Sequence, residues 1–313
     1  MINPDLPGVI LTGPSAAGKT AAAMALVQRF DAEIISVDSA MVYRGMDIGT
    51  AKPGAEELAQ APHRLIDLID PEQAYSVAAF LDDVERAIGE VQAAGRMPLL
   101  TGGTMMYLRA LKFGLSPLPA SQPERRDKLE AQLQQHGLAA LRERLEQVDP
   151  VAAQRIHPND PQRTLRALEV FDIAGQRLSD LQQTMAPPLL NRRWLTISVE
   201  PQQRQNLRER IAVRFDLMLE AGFLDEMRRL RQRPGLTADS PSMRSVGYRQ
   251  AWQYLDGDVD FDAFRQNAIT ATRQLAKRQL TWLRRDPDRH QVAMEADVLG
   301  QVVDRVAAWS ATR

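Results

Sequence analysis

Not one of the 313 residues is a cysteine, and that single absence removes disulfides, thiolate metal sites and cysteine nucleophiles together. It also fits a reducing compartment. Histidine is nearly as scarce: His63, His136, His157 and His290 are scattered, with no metal-ligand spacing among them. No apolar run approaches the roughly 20 residues that a membrane helix needs. The opening Met1-Ile2-Asn3-Pro4-Asp5 is not a basic stretch followed by an apolar one, so neither a membrane segment nor a signal peptide is expected, and cytoplasm is the expected compartment. No sign of charge dominates, because 39 Lys+Arg face 40 Asp+Glu; a uniformly basic nucleic-acid binder is therefore excluded. There is no internal repeat. What remains, 44% apolar and 25% charged, is the balance of an ordinary globular protein long enough for one large domain and a smaller second one.

The charge is unevenly placed. Residues 1–115 carry 9 Lys/Arg against 14 Asp/Glu, leaving 30 against 26 for the remainder, and Asn267 to Arg285 contains five basic residues and no acid. A polyanion could be held by the second half while the first half does something else.

Along the chain, Val9–Thr12, Ile34–Val37, Met97–Thr101 and Trp194–Val199 read as buried strands, and Thr20–Phe30 and Tyr75–Ala94 as helices. Strand and helix in alternation predict an α/β fold with a parallel sheet flanked by helices. Ligands of such sheets gather at the carboxyl ends of the strands. After the proline-rich Leu115-Ser116-Pro117-Leu118-Pro119 the pattern is helical from Gln122 to about Gln183. The expected organisation is a core of 1–115 with 190–313 and a helical insertion at 116–189. Long helices are expected over about 203–232 and 261–285, with a loop near 241–247.

Gly13-Pro14-Ser15-Ala16-Ala17-Gly18-Lys19-Thr20 matches G-x-x-x-x-G-K-[ST] between a strand and a helix. The glycines let backbone N–H groups turn around phosphate oxygens, Lys19 adds a charge, and Thr20 can place its hydroxyl on Mg²⁺. The motif does not say whose phosphates these are. Asp38 closes the second strand, where a carboxylate can bind hydrated Mg²⁺, act as a general base, or cap the next turn. Thr104 follows the third strand through Gly102-Gly103. Arg214 borders the apolar stripe of Leu207, Ile211 and Met218, which suits either a clamp on a pyrophosphate or an ion-paired structural arginine. Arg273, Lys277 and Arg284 fall on one helical stripe. Such a stripe is usually a solvated face; the missing acids favour contact with a phosphate backbone. Trp252 and Trp282 read as core.

Taken in order, these segments resemble the tRNA dimethylallyltransferase, or tRNA isopentenyltransferase, family. The similarity runs over nearly the whole chain. Its most specific stretches are Gly13–Thr20, Ile35–Pro53, Gly102–Thr104, Ile156–Arg163, Arg244–Arg249 and Thr272–Gln279. The resemblance implies transfer of a dimethylallyl group from its diphosphate to N6 of the adenosine 3′-adjacent to the anticodon, in tRNAs reading codons that begin with U. By position it implies that Gly13, Ser15, Ala16, Ala17, Gly18, Lys19 and Thr20 bind the diphosphate, with Thr20 on Mg²⁺. Asp38 would be the general base and Arg214 a pyrophosphate contact, with Thr104 beside them. The tRNA anticodon stem-loop would meet Asp38, Ser39, Ala40, Met41, Thr104, Arg126, Gln162, Arg163, Thr164, Leu165 and Arg166. It would also meet Arg244, Ser245, Val246, Gly247, Tyr248 and Arg249, then Arg273, Lys277, Arg278 and Arg284. A monomer without membrane association is expected. Family members usually carry Thr at position 15, Ser or Val at 17 and Lys at 44; Ser15 keeps the hydroxyl, Ala17 the small size and Arg44 the charge.

Two other readings fit the same loop. A P-loop kinase of a small metabolite would use ATP and have little use for a helical insertion. An RNA-binding NTPase switch would need a Walker B aspartate, which Asp67 or Asp70 could supply.

Overall fold

The computed structural model describes residues 7–190 and 193–311. Two compact units make up the chain: Met1–Lys112 with Leu189–Arg313, and Phe113–Pro188.

The first unit is built on a six-stranded sheet in which every pairing is parallel. Its strands are β1 (Gly8–Thr12), β2 (Ala32–Val37), β3 (His63–Arg64), β4 (Met97–Gly102), β5 (Trp194–Glu200) and β6 (Arg289–Ala293). They lie in the order β3-β2-β4-β1-β5-β6. β1 and β2 are buried at every position, as expected of strands covered on both faces by helices. Side chains alternate between two cores: Val9, Leu11, Ile34 and Leu99 enter one, and Ile10, Ile35 and Leu100 the other.

One helix follows each of the first four strands: α1 (Lys19–Phe30), α2 (Ala55–Gln60), α3 (Val77–Ala93) and α4 (Met105–Phe113). α3 begins at Ser76, whose hydroxyl accepts the Ala79 N–H at 3.1 Å; this satisfies one of the orphan donors of the first turn. It sends Phe80, Val84, Ile88 and Val91 into the second core.

The second unit holds α5 (Pro123–Val148), α6 (Pro150–Arg155), α7 (Pro161–Ala174) and α8 (Leu178–Leu181). Each of α5, α6 and α7 starts with proline in its first turn, where the missing N–H costs nothing. Gly137, at φ 75°, interrupts α5. Leu129, Leu141, Leu145, Leu165 and Leu168 form a core of this unit's own.

After β5 come α9 (Arg204–Glu220), α10 (Phe223–Arg231), α11 (Tyr248–Asp256), α12 (Phe261–Leu283) and α13 (Val298–Ser310). The single helix expected over 203–232 is two, because Gly222 adopts φ 94° and breaks the ladder. The 241–247 loop contains a short 3₁₀ turn, Pro241–Arg244. β6 and α13 lie beyond what the sequence pattern led us to expect.

Candidate active site

The loop between β1 and α1 is shaped by residues that leave ordinary backbone space. Gly13 sits at φ 152°, and a Cβ there would stand 2.4 Å from the Val199 carbonyl oxygen, so only glycine fits. Ala16 takes φ 67° without being glycine, at a cost of about 1–2 kcal/mol. The strain curls the loop ahead of the first turn of α1, the usual seat of a phosphate. The Ala17 N–H closes the turn on the Pro14 carbonyl at 3.2 Å. Lys19 folds back so that Nζ donates to the Gly13 and Pro14 carbonyls at 3.0 and 2.8 Å. Desolvation, and then the neighbouring Arg214, push Lys19 down to about 8, while Asp38 pulls it upward. Arg214 on α9 is lowered by burial, with Asp38 opposing and Arg210 adding to the effect. Lys19, Arg214 and Asp38 thus form one electrostatic cluster beside the loop: two cations that their surroundings destabilise and one carboxylate. Such a cluster awaits additional negative charge.

Asp38 does make the turn that its sequence context allows. Its Oδ1 accepts the Ala40 and Met41 N–H groups at 2.8 and 3.3 Å, which fixes the carboxylate plane. Oδ2 carries no hydrogen bond among the described residues, so capping and proton acceptance are compatible here. Thr104 Oγ1 accepts the Ser39 N–H at 3.0 Å, and the Thr104 N–H reaches Val37. The loops after β2 and β4 are thereby tied together at the same edge as the phosphate loop.

A cavity of about 610 Å³ opens at this edge. Among residues anticipated from sequence, Ser15, Ala16, Asp38, Ser39, Ala40, Thr104, Arg214, Arg244, Ser245, Val246, Gly247, Tyr248 and Arg278 line it. Gly13, Ala17, Gly18, Lys19 and Thr20 belong to the loop outside that lining, and Thr20 is exposed at the start of α1. Met41 is half-buried, with its sulfur 3.9 Å from the Ser36 hydroxyl. Tyr248 is wholly buried, and its hydroxyl donates to Glu226 at 2.6 Å; it shapes the wall rather than offering a free surface. Arg249, Lys277 and Arg284 are exposed and lie outside the cavity lining.

Three expectations change. Arg273 does not share an open stripe with Lys277 and Arg284: it is half-buried, one of its guanidinium nitrogens reaches the Arg208 carbonyl of α9, and its Nε is buried. In the second unit, the Thr164 hydroxyl donates to the Asp160 carbonyl at 2.8 Å and Leu165 is core, so neither side chain can meet a ligand. Arg166 is held by Glu169 and the Pro119 carbonyl, and Arg126 pairs with Glu130; Gln162 and Arg163 are exposed, Arg163 with an ion pair to Asp160 at 2.7 Å. Finally, Trp282 is no core residue. It lines the cavity, with the Arg109 and Arg285 guanidinium carbons 5.6 and 6.0 Å from its ring centre.

Sequence reasoning missed much of the apolar wall, including Tyr75, Met105, Phe215 and Trp282, and it gave no role to Gln279. A signal was present in α12: Thr272, Leu275, Gln279 and Trp282 recur at helical spacing on one face. Asp67 and Asp70, the candidate Walker B residues, are committed elsewhere. Asp67 pairs with Lys52, and Asp70 with Arg44 and Arg233.

The sequence and the fold have counterparts among known proteins. Residues 41–286 match the family model described as IPP transferase. The chain belongs to the IPP transferase family. It is 54% identical over 302 residues to the tRNA dimethylallyltransferase of Thioalkalivibrio sulfidiphilus, covering 96% of this chain and 94% of that protein. With the tRNA dimethylallyltransferase of Alkalilimnicola ehrlichii the identity is 56% over 282 residues, covering 90% and 88%. A crystal structure of a tRNA isopentenylpyrophosphate transferase from Bacillus halodurans superposes with a TM-score of 0.69 at 36% identity, covering 96% of this chain and 95% of that one. A eukaryotic dimethylallyltransferase shares the fold, with a TM-score of 0.81 at 23% identity, over 98% of this chain and 79% of that one. The six-stranded parallel sheet is thus the IPP transferase α/β fold, and the cavity is the place where this family member's chemistry is to be sought.

Proposed function

We propose that this chain transfers a dimethylallyl group from dimethylallyl diphosphate to N6 of the adenosine 3′-adjacent to the anticodon, in tRNAs whose codons begin with U. Membership of the IPP transferase family carries the activity. The observation that carries the site is the convergence of the phosphate loop, Arg214 and the Asp38 carboxylate at one apolar-walled cavity.

The diphosphate sits in the Gly13–Thr20 loop against Lys19 and Arg214. An adenine amine is a poor nucleophile because its lone pair is delocalised into the ring. As N6 bonds to C1 of the allyl group, the C1–O bond breaks, its electron pair leaves with the diphosphate, and the N6 proton passes to Asp38. Lys19 and Arg214 oppose the negative charge that grows on the leaving oxygen. Met105, Ile211, Phe215 and Trp282 supply apolar wall around a carbon that becomes cation-like, and so keep water from it.

Among the described residues no three His, Asp or Glu side chains gather as a metal cage. The donor present, the exposed Thr20 hydroxyl, suits a hydrated magnesium ion carried by the diphosphate, because Mg²⁺ keeps most of its waters. Thr20 would hold it, and its charge would add to that of Lys19 and Arg214. The tRNA is gripped along its backbone by Arg244, Arg249, Lys277, Arg278 and Arg284, with the 116–189 insertion contributing Gln162 and Arg163. Turning the adenine out of the stack costs about a few kcal/mol, which pocket contacts offset.

The test is incubation with unmodified tRNA and either labelled dimethylallyl diphosphate or labelled ATP. Label is expected in tRNA from the first donor only. ATP consumption without allyl transfer would replace this reading with that of a nucleotide-using enzyme.

A further inference from the structure

Gln279 is 5% exposed and lies on the cavity face of α12, facing two loops that are distant in sequence. Its Oε1 accepts the Ser15 N–H of the phosphate loop at 3.0 Å. Its Nε2 donates to the Gly103 carbonyl at 2.8 Å. The partners fix the orientation of the amide, since Ser15 offers only a donor and Gly103 only an acceptor. Gly103 has no side chain to block this approach; a Cβ there would stand 2.6 Å from Nε2.

The connection continues. The residue after Gly103 is Thr104, whose Oγ1 accepts the N–H of Ser39, and Ser39 follows Asp38. One buried amide therefore joins the diphosphate seat to the loop that orients the carboxylate, and does so from the helix that bears Lys277 and Arg278 and is capped by Arg284. We propose that Gln279 is a positioning residue for the transfer reaction: it sets the distance between the phosphate loop and Asp38. It is not itself a ligand of the diphosphate, because both of its polar atoms are used by the protein. This rests on the function proposed above.

If spacing is what Gln279 supplies, Gln279→Ala should lower kcat about tenfold to hundredfold, the cost of a misplaced reacting group. KM for dimethylallyl diphosphate and affinity for tRNA should stay close to those of the parent, while Tm falls by a few degrees because the Gly103 carbonyl and the Ser15 N–H lose their partner. Gln279→Glu provides the sharper readout. A neutral carboxylic acid has one donor and one acceptor, so it can replace the amide at both ends. Once ionised, it accepts from Ser15 but faces the Gly103 carbonyl with nothing to donate. At saturating donor, the ratio of mutant to parent kcat should therefore fall several-fold between pH 6 and pH 9. Backbone amide exchange read by NMR supplies a measurement independent of activity: the Ser15 N–H should exchange faster in Gln279→Ala.

A flat kcat ratio across that range, or an effect confined to KM for the diphosphate, overturns the positioning role. So does an unchanged Ser15 exchange rate. If the parent enzyme itself moves no dimethylallyl group to tRNA, the functional reading fails instead; an active parent with an unaltered Gln279→Ala removes only the role of Gln279.

Discussion

Between pH 7 and pH 9 the affinity of the phosphate loop for a diphosphate should fall about tenfold, because Lys19 loses its proton in that interval. Burial first, and then Arg214, bring the Lys19 ammonium down to about 8 from its ordinary 10.5. A bound diphosphate favours the charged form and lifts that value again. The sign follows. Below about 8 the free protein already holds the proton, and affinity does not depend on it. Above that point binding must first take up a proton, and it weakens as pH rises until the value in the complex is reached. With a free-protein value of about 8, roughly nine tenths of Lys19 is charged at pH 7 and one tenth at pH 9, hence the tenfold loss. The last ionisation of a singly esterified phosphate, near pH 6, is nearly complete before this window opens, so dimethylallyl diphosphate keeps its charge across it.

Titration calorimetry with dimethylallyl diphosphate, in the absence of tRNA, at pH 7, 8 and 9 measures the fall. Repeating the pH 8.5 titration in two buffers of different ionisation enthalpy counts the proton taken up. Lys19→Gln should bind more weakly and with no such trend. A flat wild-type profile, or the same trend in Lys19→Gln, would refute the reasoning. The shift has a second consequence for the free protein. A folded-state value below the unfolded one means that the unfolded chain holds more protons between about 8 and 10.5, so the contribution of Lys19 to stability rises with pH across that range.

Two further outcomes follow from particular contacts. Glu226, 2% exposed, accepts the N–H groups of Asp47, Ile48 and Gly49 and the Tyr248 hydroxyl; Glu226→Gln turns one acceptor into a donor and should cost about 2–4 kcal/mol in urea unfolding. A loss under about 0.5 kcal/mol would show that the loop holds itself. Neutralising Lys277, Arg278 and Arg284 one at a time should each reduce the salt slope of tRNA affinity by about 1. An unchanged slope would remove the outer face of α12 from the RNA interface.

The parts legible from sequence were those whose cause is local. The phosphate loop is a contiguous motif, and β1, β2, β4 and β5 are buried runs that no solvent-facing residue interrupts. β3 and β6 escaped because His63-Arg64 and Arg289-His290-Gln291 carry no apolar signature; they are strands only because β2 and β5 offer edges to pair with. Gly222 and the Val298, Val302, Val306 spacing do carry local signals, the one for the helix break and the other for α13. The site divides in the same way. Asp38 and Arg214 could be placed at the edge of a sheet and of an apolar stripe, but their mutual influence on Lys19 depends on distances that no periodicity encodes. Arg273 shows the limit of a helical stripe: spacing gives an angle around α12, and only the packing of α9 decides that this angle is covered. Gln279 joins residues 264 and 176 positions away, so no local pattern could have revealed its task.

The most direct test of the account is the single-turnover rate of Asp38→Asn with tRNA and dimethylallyl diphosphate both saturating. Asparagine keeps an oxygen for the Ala40 and Met41 N–H groups but is a far weaker proton acceptor. The rate should fall about 10²- to 10⁴-fold, with tRNA and diphosphate affinities nearly intact. Binding that collapses together with the rate, or a rate that survives, would contradict the claim that Asp38 takes the proton from the adenine amine.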